Sequence, residues 1–338
     1  MRAMRITALA GGIGGARFLR GLLAHLADRP SNHGPSNHGP GDHEVTVVGN
    51  TADDITLHGL RVCPDLDTVM YTLGGGVHEG QGWGRAGETF EVAHELAAYD
   101  AGPDWFTLGD RDIATHLVRT RMLGLGYPLS QVTAALCARW QPGVRLLPMT
   151  DDPVETHVVI DDAEAEGGQR AIHFQEWWVR LHAAVEARRI VVVGAEQSRP
   201  APGVLDAVRD ADVVLLPPSN PVVSIGTILS VPGVRDALRG TRAPVVGVSP
   251  IVGGAPVRGM ADGCLRTVGV PTTAAAVGGL YADLLDGWLV DTSDDDLDGT
   301  LVTGGRARVV ARPLMMTDVD AAAAIAGAAL DLAEGVRR

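Results

Sequence analysis

Residues 6–23 read Ile-Thr-Ala-Leu-Ala-Gly-Gly-Ile-Gly-Gly-Ala-Arg-Phe-Leu-Arg-Gly-Leu-Leu, and this stretch decides the fold. A mainly apolar run comes first, a glycine-rich turn at 11–15 follows, and apolar positions then recur with helical spacing. The predicted order is therefore strand, glycine turn, helix. Glycine lets a backbone approach a ligand closely, and a helix N-terminus offers unpaired N–H groups to a phosphate. We therefore expect Gly12, Gly14 and Gly15 to contact the phosphates of a nucleotide.

Two common glycine motifs do not match this turn. The dinucleotide-binding fingerprint requires a third glycine where Arg17 stands, and an acidic residue at the end of the second strand, where Asn50 stands. A Walker loop requires a lysine, and all 28 basic residues of the chain are arginine. The absence of lysine also excludes a lysine Schiff base and a lysine nucleophile. A merely tight turn stays open as an alternative to phosphate binding.

Strand-like apolar runs alternate with helical patterns along the chain, which indicates a mostly parallel sheet covered by helices. The runs after the first are Val45–Val48, Arg145–Pro148, His157–Ile160, Ile190–Gly194, Val213–Pro217, Val245–Ser249 and Gly287–Asp291. We predict an α/β fold, Rossmann-like, with helices on both faces of the sheet. We assign residues 1–121 and 189–338 to a nucleotide-binding core and residues 122–188 to a smaller inserted α/β domain.

Four carboxylates follow the buried strand predicted at Val45–Val48. Asp53, Asp54, Asp65 and Asp67 lie within fifteen residues, at the strand end where open α/β sheets bind their ligands. Grouped carboxylates repel one another unless a cation neutralises them, and Mg²⁺ is often held by one or two carboxylates where phosphates react. The sequence therefore predicts a magnesium site. Turn chemistry, in which Asp and Asn bond their own backbone, is the alternative.

Three later segments contain further candidate residues. Arg111 stands at the start of a predicted helix, where it would bind a phosphate or an acidic group, unless Asp110 before it simply caps that helix. His173 and Trp177 belong to a Trp-rich segment that suits either a wall for a flat ring or ordinary aromatic packing. Residues 217–226 follow a buried strand with small polar residues and prolines, which favours a rigid loop at a ligand site.

Composition limits the partners and the compartment. The net charge of −13 and the pI near 5.2 argue against nucleic acid and anionic membranes. Three cysteines without metal-ligand spacing indicate a reducing compartment, and no apolar stretch has membrane-spanning length, so we expect a cytoplasmic protein. Ser31–Pro40 repeats Ser-Asn-His-Gly-Pro twice, and we interpret it as a flexible surface insertion rather than a metal site at His33 and His38.

Several motifs, taken in order from about residue 5 to residue 260, resemble one family. They are Gly11-Gly12-x-Gly14-Gly15, Asn50-Thr51-Ala52-Asp53-Asp54, Cys63-Pro64-Asp65-Leu66-Asp67-Thr68, Gly109-Asp110-Arg111-Asp112, Asp151-Asp152-Pro153, His173-Phe174-Gln175 and Pro218-Ser219-Asn220-Pro221. The set resembles the 2-phospho-L-lactate transferase family of coenzyme F420 biosynthesis. The resemblance implies a magnesium-dependent enzyme that acts on the deazaflavin precursor Fo. It would move a phospholactyl group, or in actinobacterial members a phosphoenolpyruvyl group, from a guanosine diphosphate-linked donor and release GMP. The resemblance also implies a homodimer.

The resemblance assigns roles to individual residues. Asp67 matches the family's Fo-contacting aspartate, whereas Thr107 stands where archaeal relatives carry a lysine in contact with Fo. We assign magnesium to Asp54 and Asp65. Asp67 would orient or deprotonate the attacking hydroxyl, and Arg111 would offset charge on the diphosphate. The other predicted substrate contacts are Gly12, Gly14 and Gly15 for the diphosphate, Ser219, Asn220, Ser224 and Gly226 for guanosine, His173 and Trp177 for the deazaflavin, and Asn50.

Two other functions are compatible with parts of the sequence. A nucleotide-sugar-binding regulator of the same superfamily would share the fold without the chemistry, although the intact Cys-Pro-Asp-Leu-Asp motif favours an enzyme. A nicotinamide oxidoreductase is disfavoured by Arg17 and Asn50. The sequence leaves open whether the donor carries enolpyruvate or lactate.

Overall fold

The computed structural model describes residues 3–28 and 43–336. The tandem repeat at Ser31–Pro40, with its two histidines, lies outside the described residues. The strands are β1 (Arg5–Ala10), β2 (Glu44–Gly49), β3 (Ile55–Leu57), β4 (Leu60–Val62), β5 (Arg145–Pro148), β6 (Glu155–Asp161), β7 (Gln169–His173), β8 (Ala187–Val193), β9 (Val213–Leu216), β10 (Val245–Val248), β11 (Ile251–Val252), β12 (Ala255–Pro256), β13 (Gly287–Val290) and β14 (Arg308–Ala311). The helices are α1 (Gly12–Ala27), α2 (Pro64–Leu73), α3 (Glu91–Ala98), α4 (Asp110–Gly124), α5 (Leu129–Trp140), α6 (Val204–Arg209), α7 (Gly226–Ser230), α8 (Val234–Gly240), α9 (Ala261–Thr267), α10 (Ala274–Gly279) and α11 (Val319–Gly335).

Seven of these strands form one parallel sheet, in the order β5-β2-β1-β9-β10-β13-β14. The strands at its centre are apolar because both of their faces are covered: all four residues of β9 and of β10 are buried. Dinucleotide-binding folds share this strand order, in which the chain first winds one way from β1 and then the other. The predicted Rossmann-like α/β fold is confirmed. Its switch point, where ligands bind in such sheets, lies between β1 and β9.

Helices bury both faces of the sheet, and each face has its own core. On one face α1 packs against α2 and α11, with Phe18, Leu22 and Ile325 in the core. On the other face Ile228 and Trp288 belong to a second cluster. Within the part of the chain that the structure describes, no helix is both long and apolar enough to cross a membrane.

A second, antiparallel sheet stands apart from the first, in the order β7-β6-β8. It has a small core of its own that includes Ile172, Phe174 and Trp177. The borders predicted for the smaller domain, 122 and 188, do not coincide with this sheet. Inside that range β5 is an edge strand of the central sheet, and beyond it β8 continues to Val193. The prediction missed this because β5 is as short and apolar as a strand of either sheet.

Candidate active site

One cavity of about 900 Å³ opens at the carboxyl ends of the central strands. Its wall combines the start of α1, the first turn of α2, the segment after β9 and the segments after β10 and β14. A cavity of this size at the switch point of a parallel sheet is the expected place for a ligand.

The glycine segment and the loop after β9 meet at the switch point, as predicted. The helix begins at Gly12, so the glycines form its first turn rather than a separate loop. Gly14 lacks the side-chain atom that would collide with the Pro218 carbonyl. The Ser219 hydroxyl oxygen accepts a hydrogen bond from the Gly11 N–H (3.1 Å) and donates one to the Gly11 carbonyl (2.8 Å). The glycines thus allow α1 and the segment after β9 to pack closely. Gly12 and Gly14 also line the cavity, whereas Gly15 does not.

Asn50 is fully buried and does not line the cavity. Its Nδ2 donates to Asp65 Oδ2 (2.9 Å) and to the Val223 carbonyl (3.2 Å). Its Oδ1 accepts from the Ala52 N–H (3.0 Å) and from the Thr227 hydroxyl (2.7 Å). Because its amide groups are already bonded within the protein, the structure gives no support to the predicted contact of Asn50 with substrate. The side chain instead joins the end of β2 to α2 and to the segment after β9.

Asp53 and Asp65 form a buried pair of carboxylates on the cavity wall. Burial raises the pKa of Asp53 well above its usual value, and the neighbouring Asp65 raises it further. Burial also raises the pKa of Asp65 to about 6, although hydrogen bonds from Asn50 and from the Gly12 backbone oppose the shift. Asp53 Oδ1 is buried without a hydrogen-bond partner among the described residues. The raised pKa values mean that the pair retains protons when no cation is bound, and a cation held between the two carboxylates would take the place of those protons.

Asp54, which we predicted as a metal ligand, does not line the cavity. Its carboxylate is fully buried and lies 3.6 Å from Arg61 Nη2. Burial raises the pKa of Asp54 to about 7 despite the attraction of Arg61. Asp53, its neighbour in the chain, lines the cavity instead, and the turn after β2 has no regular period from which the direction of either side chain could be predicted. In residues 3–28 and 43–336 no group of three or more His, Cys, Asp or Glu side chains is arranged to hold a metal.

Asp67 lines the same cavity but lies in a different electrostatic environment. Arg119 Nη2 donates to Asp67 Oδ1 in an ion pair in which both side chains are buried. The Arg119 Nη1 atom lies 3.0 Å from Nδ1 of His116, and that same Nδ1 lies 3.8 Å from Asp67 Oδ2. The sequence analysis missed Arg119 and His116, which lie more than 45 residues further along the chain on α4.

The network continues from His116 to Asp112 and Tyr71. His116 Nε2 lies 3.4 Å from Asp112 Oδ2, and the Tyr71 hydroxyl donates to Asp112 Oδ1 at 2.5 Å. Burial alone would raise the pKa of Asp112, but hydrogen bonds and charge from His116, with the Tyr71 hydroxyl, hold it below its usual value. The signal in the sequence was the spacing of 112, 116 and 119, which puts three ionisable side chains on one face of a helix.

Arg111 is exposed and does not line the cavity, so the structure gives no support to its predicted role at the diphosphate. Its guanidinium points toward the Ala86 carbonyl (3.4 Å), and its backbone N–H donates to Glu88. Asp110 does act as a cap, but of the preceding helix: its carboxylate accepts from the N–H groups of Glu91 and Val92 at the start of α3.

The aromatic wall is shifted by one residue from the prediction. Trp177 is buried in the core of the second sheet, where its indole N–H donates to the Val185 carbonyl, whereas Trp178 lines the cavity. The two tryptophans lie in a π-helical turn, Glu176–Arg180, whose period could not be read from the sequence. His173 does not line the cavity either, and its Nε2 lies 3.2 Å from the Asp54 carbonyl.

Thr107 does line the cavity, as predicted, beside Trp105 and Phe106. Of the residues predicted after β9, Ser219, Asn220 and Ser224 line it as well. Gly226 does not: it begins α7, and a side chain there would meet the Pro221 carbonyl.

Comparison with known proteins shows similarity over nearly the whole chain. The model of the family described as 2-phospho-L-lactate transferase CofD matches residues 6–307. A phosphoenolpyruvate transferase of Streptomyces griseus is 64% identical over 336 residues, which cover 99% of this chain and 100% of that protein. A protein of the same name from Mycolicibacterium smegmatis is 56% identical over 341 residues, which cover 98% and 99%.

A solved structure also superimposes on the chain. It is a member of the upf0052 family from Bacillus halodurans, with a TM-score of 0.60 and 16% sequence identity, covering 98% of this chain and 99% of that one. At this identity the likeness concerns the fold alone.

Proposed function

The chain belongs to the 2-phospho-L-lactate transferase CofD family, and we propose that it transfers a phosphoenolpyruvyl group to Fo. The donor is enolpyruvyl-diphospho-5'-guanosine, and the products are dehydro-F420-0 and GMP. Relatives that are named phosphoenolpyruvate transferase support enolpyruvate over lactate. The single observation that carries the proposal is the wall of the cavity, on which the carboxyl pair Asp53 and Asp65 and the arginine-paired carboxylate Asp67 are found together.

In the proposed step, the primary hydroxyl oxygen of the Fo ribityl chain forms a bond to the phosphorus that carries enolpyruvate. The bond from that phosphorus to the bridging oxygen breaks, and GMP leaves with the oxygen and its electron pair. Asp67 Oδ2, which has no hydrogen-bond partner among the described residues, orients the attacking hydroxyl and accepts its proton. Arg119 holds the carboxylate in place through Oδ1. Chemistry of this kind depends on positioning and on charge neutralisation.

Asp53 and Asp65 are the residues that fit magnesium. Both line the cavity, and Asp53 Oδ1 is buried and unpaired among the described residues. Mg²⁺ takes one or two protein carboxylates and completes its coordination with phosphate oxygens and water, so a group of three ligands is not required. When bound, the ion would neutralise the diphosphate and the charge that develops on the leaving phosphate.

The two substrates would occupy different parts of the cavity. Ser219, Asn220 and Ser224 offer small polar groups beside the start of α1, which suits the guanosine diphosphate moiety. Trp105 and Trp178 offer flat apolar surfaces, which suit the deazaflavin ring. This division supports an enzyme that holds both substrates at once.

Product analysis tests the proposal directly. The purified protein, Mg²⁺ and Fo are mixed with the enolpyruvyl and lactyl donors in competition, and the products are identified by mass spectrometry. We expect dehydro-F420-0 and one GMP for each product molecule. Predominant formation of the lactyl product, or the absence of GMP, would overturn the proposal.

Calorimetric titration tests the guanosine part separately. GDP should bind without Fo, and Mg²⁺ should strengthen its binding, because the ion bridges the diphosphate. ADP should bind more weakly, since polar groups that recognise guanine are left unpaired against adenine. Equal affinity for the two bases would contradict a guanosine donor. Tight binding of a UDP-sugar in place of GDP would favour the regulatory alternative.

The homodimer and the cytoplasmic location implied by the sequence stay predictions. Sedimentation equilibrium of the purified protein would test the first.

A further inference from the structure

Two arginines line the cavity, Arg17 from the second turn of α1 and Arg258 from the loop after β12. Both approach the same point. An atom built as the missing side chain of Gly82 would lie 3.3 Å from Arg258 Nη1 and 3.7 Å from Arg17 Nη2. The two guanidinium groups therefore converge at the cavity wall, where Gly82 leaves room for them.

Neither arginine has an acidic partner within 4 Å among the described residues, in contrast with other arginines near the site. Arg20, on the same helix as Arg17, pairs with Glu79 at 2.6 Å. Arg258 donates to the Gln81 carbonyl. Burial, and then the nearby charges of Arg258 and Arg20, lower the pKa of Arg17, and the charge of Glu79 only partly opposes them. Positive charge is thus concentrated at one place in a chain whose net charge is −13.

The direction of the helix brings this charge toward the reacting end of the cavity. Side chains of an α-helix point back toward its N-terminus. Arg17 therefore extends toward the end of α1 where the Gly12 backbone bonds the carboxylate of Asp65. An anion held by Arg17 would lie close to a diphosphate at Asp53 and Asp65.

We infer that Arg17 and Arg258 form the subsite that binds the carboxylate of the three-carbon acid on the donor, an inference that rests on the proposed function. The donor carries two kinds of negative charge, the diphosphate and this carboxylate. Magnesium at Asp53 and Asp65 would balance the first, which leaves the carboxylate for the arginines. A guanidinium fork matches the two oxygens of a carboxylate and stays charged at every physiological pH.

The test compares two ligands that differ in the acid. Enolpyruvyl-diphospho-5'-guanosine and GDP are titrated into the full chain with Mg²⁺ and without Fo. In Arg17→Gln and in Arg258→Gln, the Kd of the donor should rise by about 10- to 100-fold, as expected for the loss of a charge-assisted hydrogen bond. The Kd of GDP should change by less than about threefold. Arg20→Gln is the matched control, because it removes an arginine of the same helix that already has an acidic partner, and it should leave both values unchanged.

A neutral form of the donor sharpens the comparison. The methyl ester of its carboxylate should bind the unaltered protein as weakly as the acid binds the variants, and it should lose nothing further in the double variant Arg17→Gln/Arg258→Gln. An equal loss for GDP and donor would mean that the arginines bind phosphate, and no loss for either would remove the subsite. Both results overturn the inference while the unaltered protein still transfers. Failure of the unaltered protein to bind GDP would overturn the proposed function instead.

Discussion

Asp65 and Asp67 lie two residues apart in the first turn of α2, yet their side chains have neighbours of opposite charge. Asp65 lies beside another carboxylate, Asp53, and its pKa is raised to about 6 chiefly by burial. Asp67 is held in a buried ion pair with Arg119. Positions i and i+2 of a helix point about 200° apart, so sequence neighbours reach separate surroundings. The site thus has two halves. In the Asp67 half a cation of the protein itself, Arg119, neutralises the carboxylate. In the Asp53–Asp65 half, no cation of the described residues does so, and a bound ligand would have to supply one.

The largest expected effect is the loss of transfer activity when either half is neutralised. Asp65→Asn and Asp67→Asn should each reduce kcat by about 10²- to 10⁴-fold, because one removes a proposed metal ligand and the other removes the group proposed to orient the hydroxyl. GMP release with Fo and donor measures the rate. Asp320→Asn is the control, since Asp320 also lies in the first turn of a helix but is exposed. Near-normal activity in either site variant would contradict its assignment.

The next largest effect concerns the stability of the Asp67 half of the site. Arg119→Met should lower the free energy of unfolding by about 3–5 kcal/mol, because it leaves the Asp67 carboxylate buried without its cation. Urea denaturation measures the change, and Arg121→Met on the exposed side of the same helix should change little. The double variant Asp67→Asn/Arg119→Met should recover much of the loss. If it does not, Arg119 stabilises the fold through packing rather than through its charge.

The carboxyl pair Asp53 and Asp65 should make the stability of the protein depend on pH when no metal is bound. An acid whose pKa is raised on folding binds its proton more tightly in the native state, so stability falls as the pH rises from about 4 to about 7. The shift of Asp65 from 3.8 to about 6 corresponds to about 3 kcal/mol at most. The Tm should therefore fall over this range in EDTA. Asp53→Asn or Asp65→Asn should make the fall shallower, and the part that comes from Asp54, whose pKa burial raises to about 7, should remain. Magnesium should restore stability near pH 7. A Tm that rises from pH 4 to 7, with no difference between the variants, would contradict a raised pKa at Asp53 and Asp65.

The smallest expected effect distinguishes Asp53 from its neighbour. Asp54→Asn should change kcat by less than about threefold, since Asp54 does not line the cavity and faces Arg61. Asp53→Asn should behave like Asp65→Asn. Equal losses in the two variants would return Asp54 to the metal site.

The sequence predicted the fold and the halves of the site unequally well. Short apolar runs and the glycine turn predicted the parallel sheet, because burial on both faces demands such strands. Asp65 and Asp67 were found because they follow a strand end and sit on a helix. An irregular turn and a π-helical turn give no period for side-chain direction, so the sequence could not tell which of Asp53 and Asp54, or of Trp177 and Trp178, faces the cavity.

Residues that act only through distant partners were not found. Arg119 lies 52 residues from Asp67. Its spacing from Asp112 and His116 puts the three side chains on one helix face, but that spacing does not show which carboxylate Arg119 pairs with. Its importance comes from burial beside a carboxylate, which only the packing of α4 against α2 reveals. The same holds for Arg17 and Arg258, whose shared feature is the lack of an acidic partner among the described residues.

The four hydrogen bonds of Asn50 also determine how early the site can form during synthesis of the chain. Two of its partners, Val223 and Thr227, lie 173 and 177 residues further along the chain, while Asp65 is only 15 residues away. A chain still emerging from the ribosome presents the aspartates long before their support is synthesised, because domains are made from the N-terminus at a limited rate. Until residue 227 has emerged and docked, Asn50 cannot hold Asp65 and the segment after β9 together. The nascent protein therefore acquires its acidic residues early and its working site late.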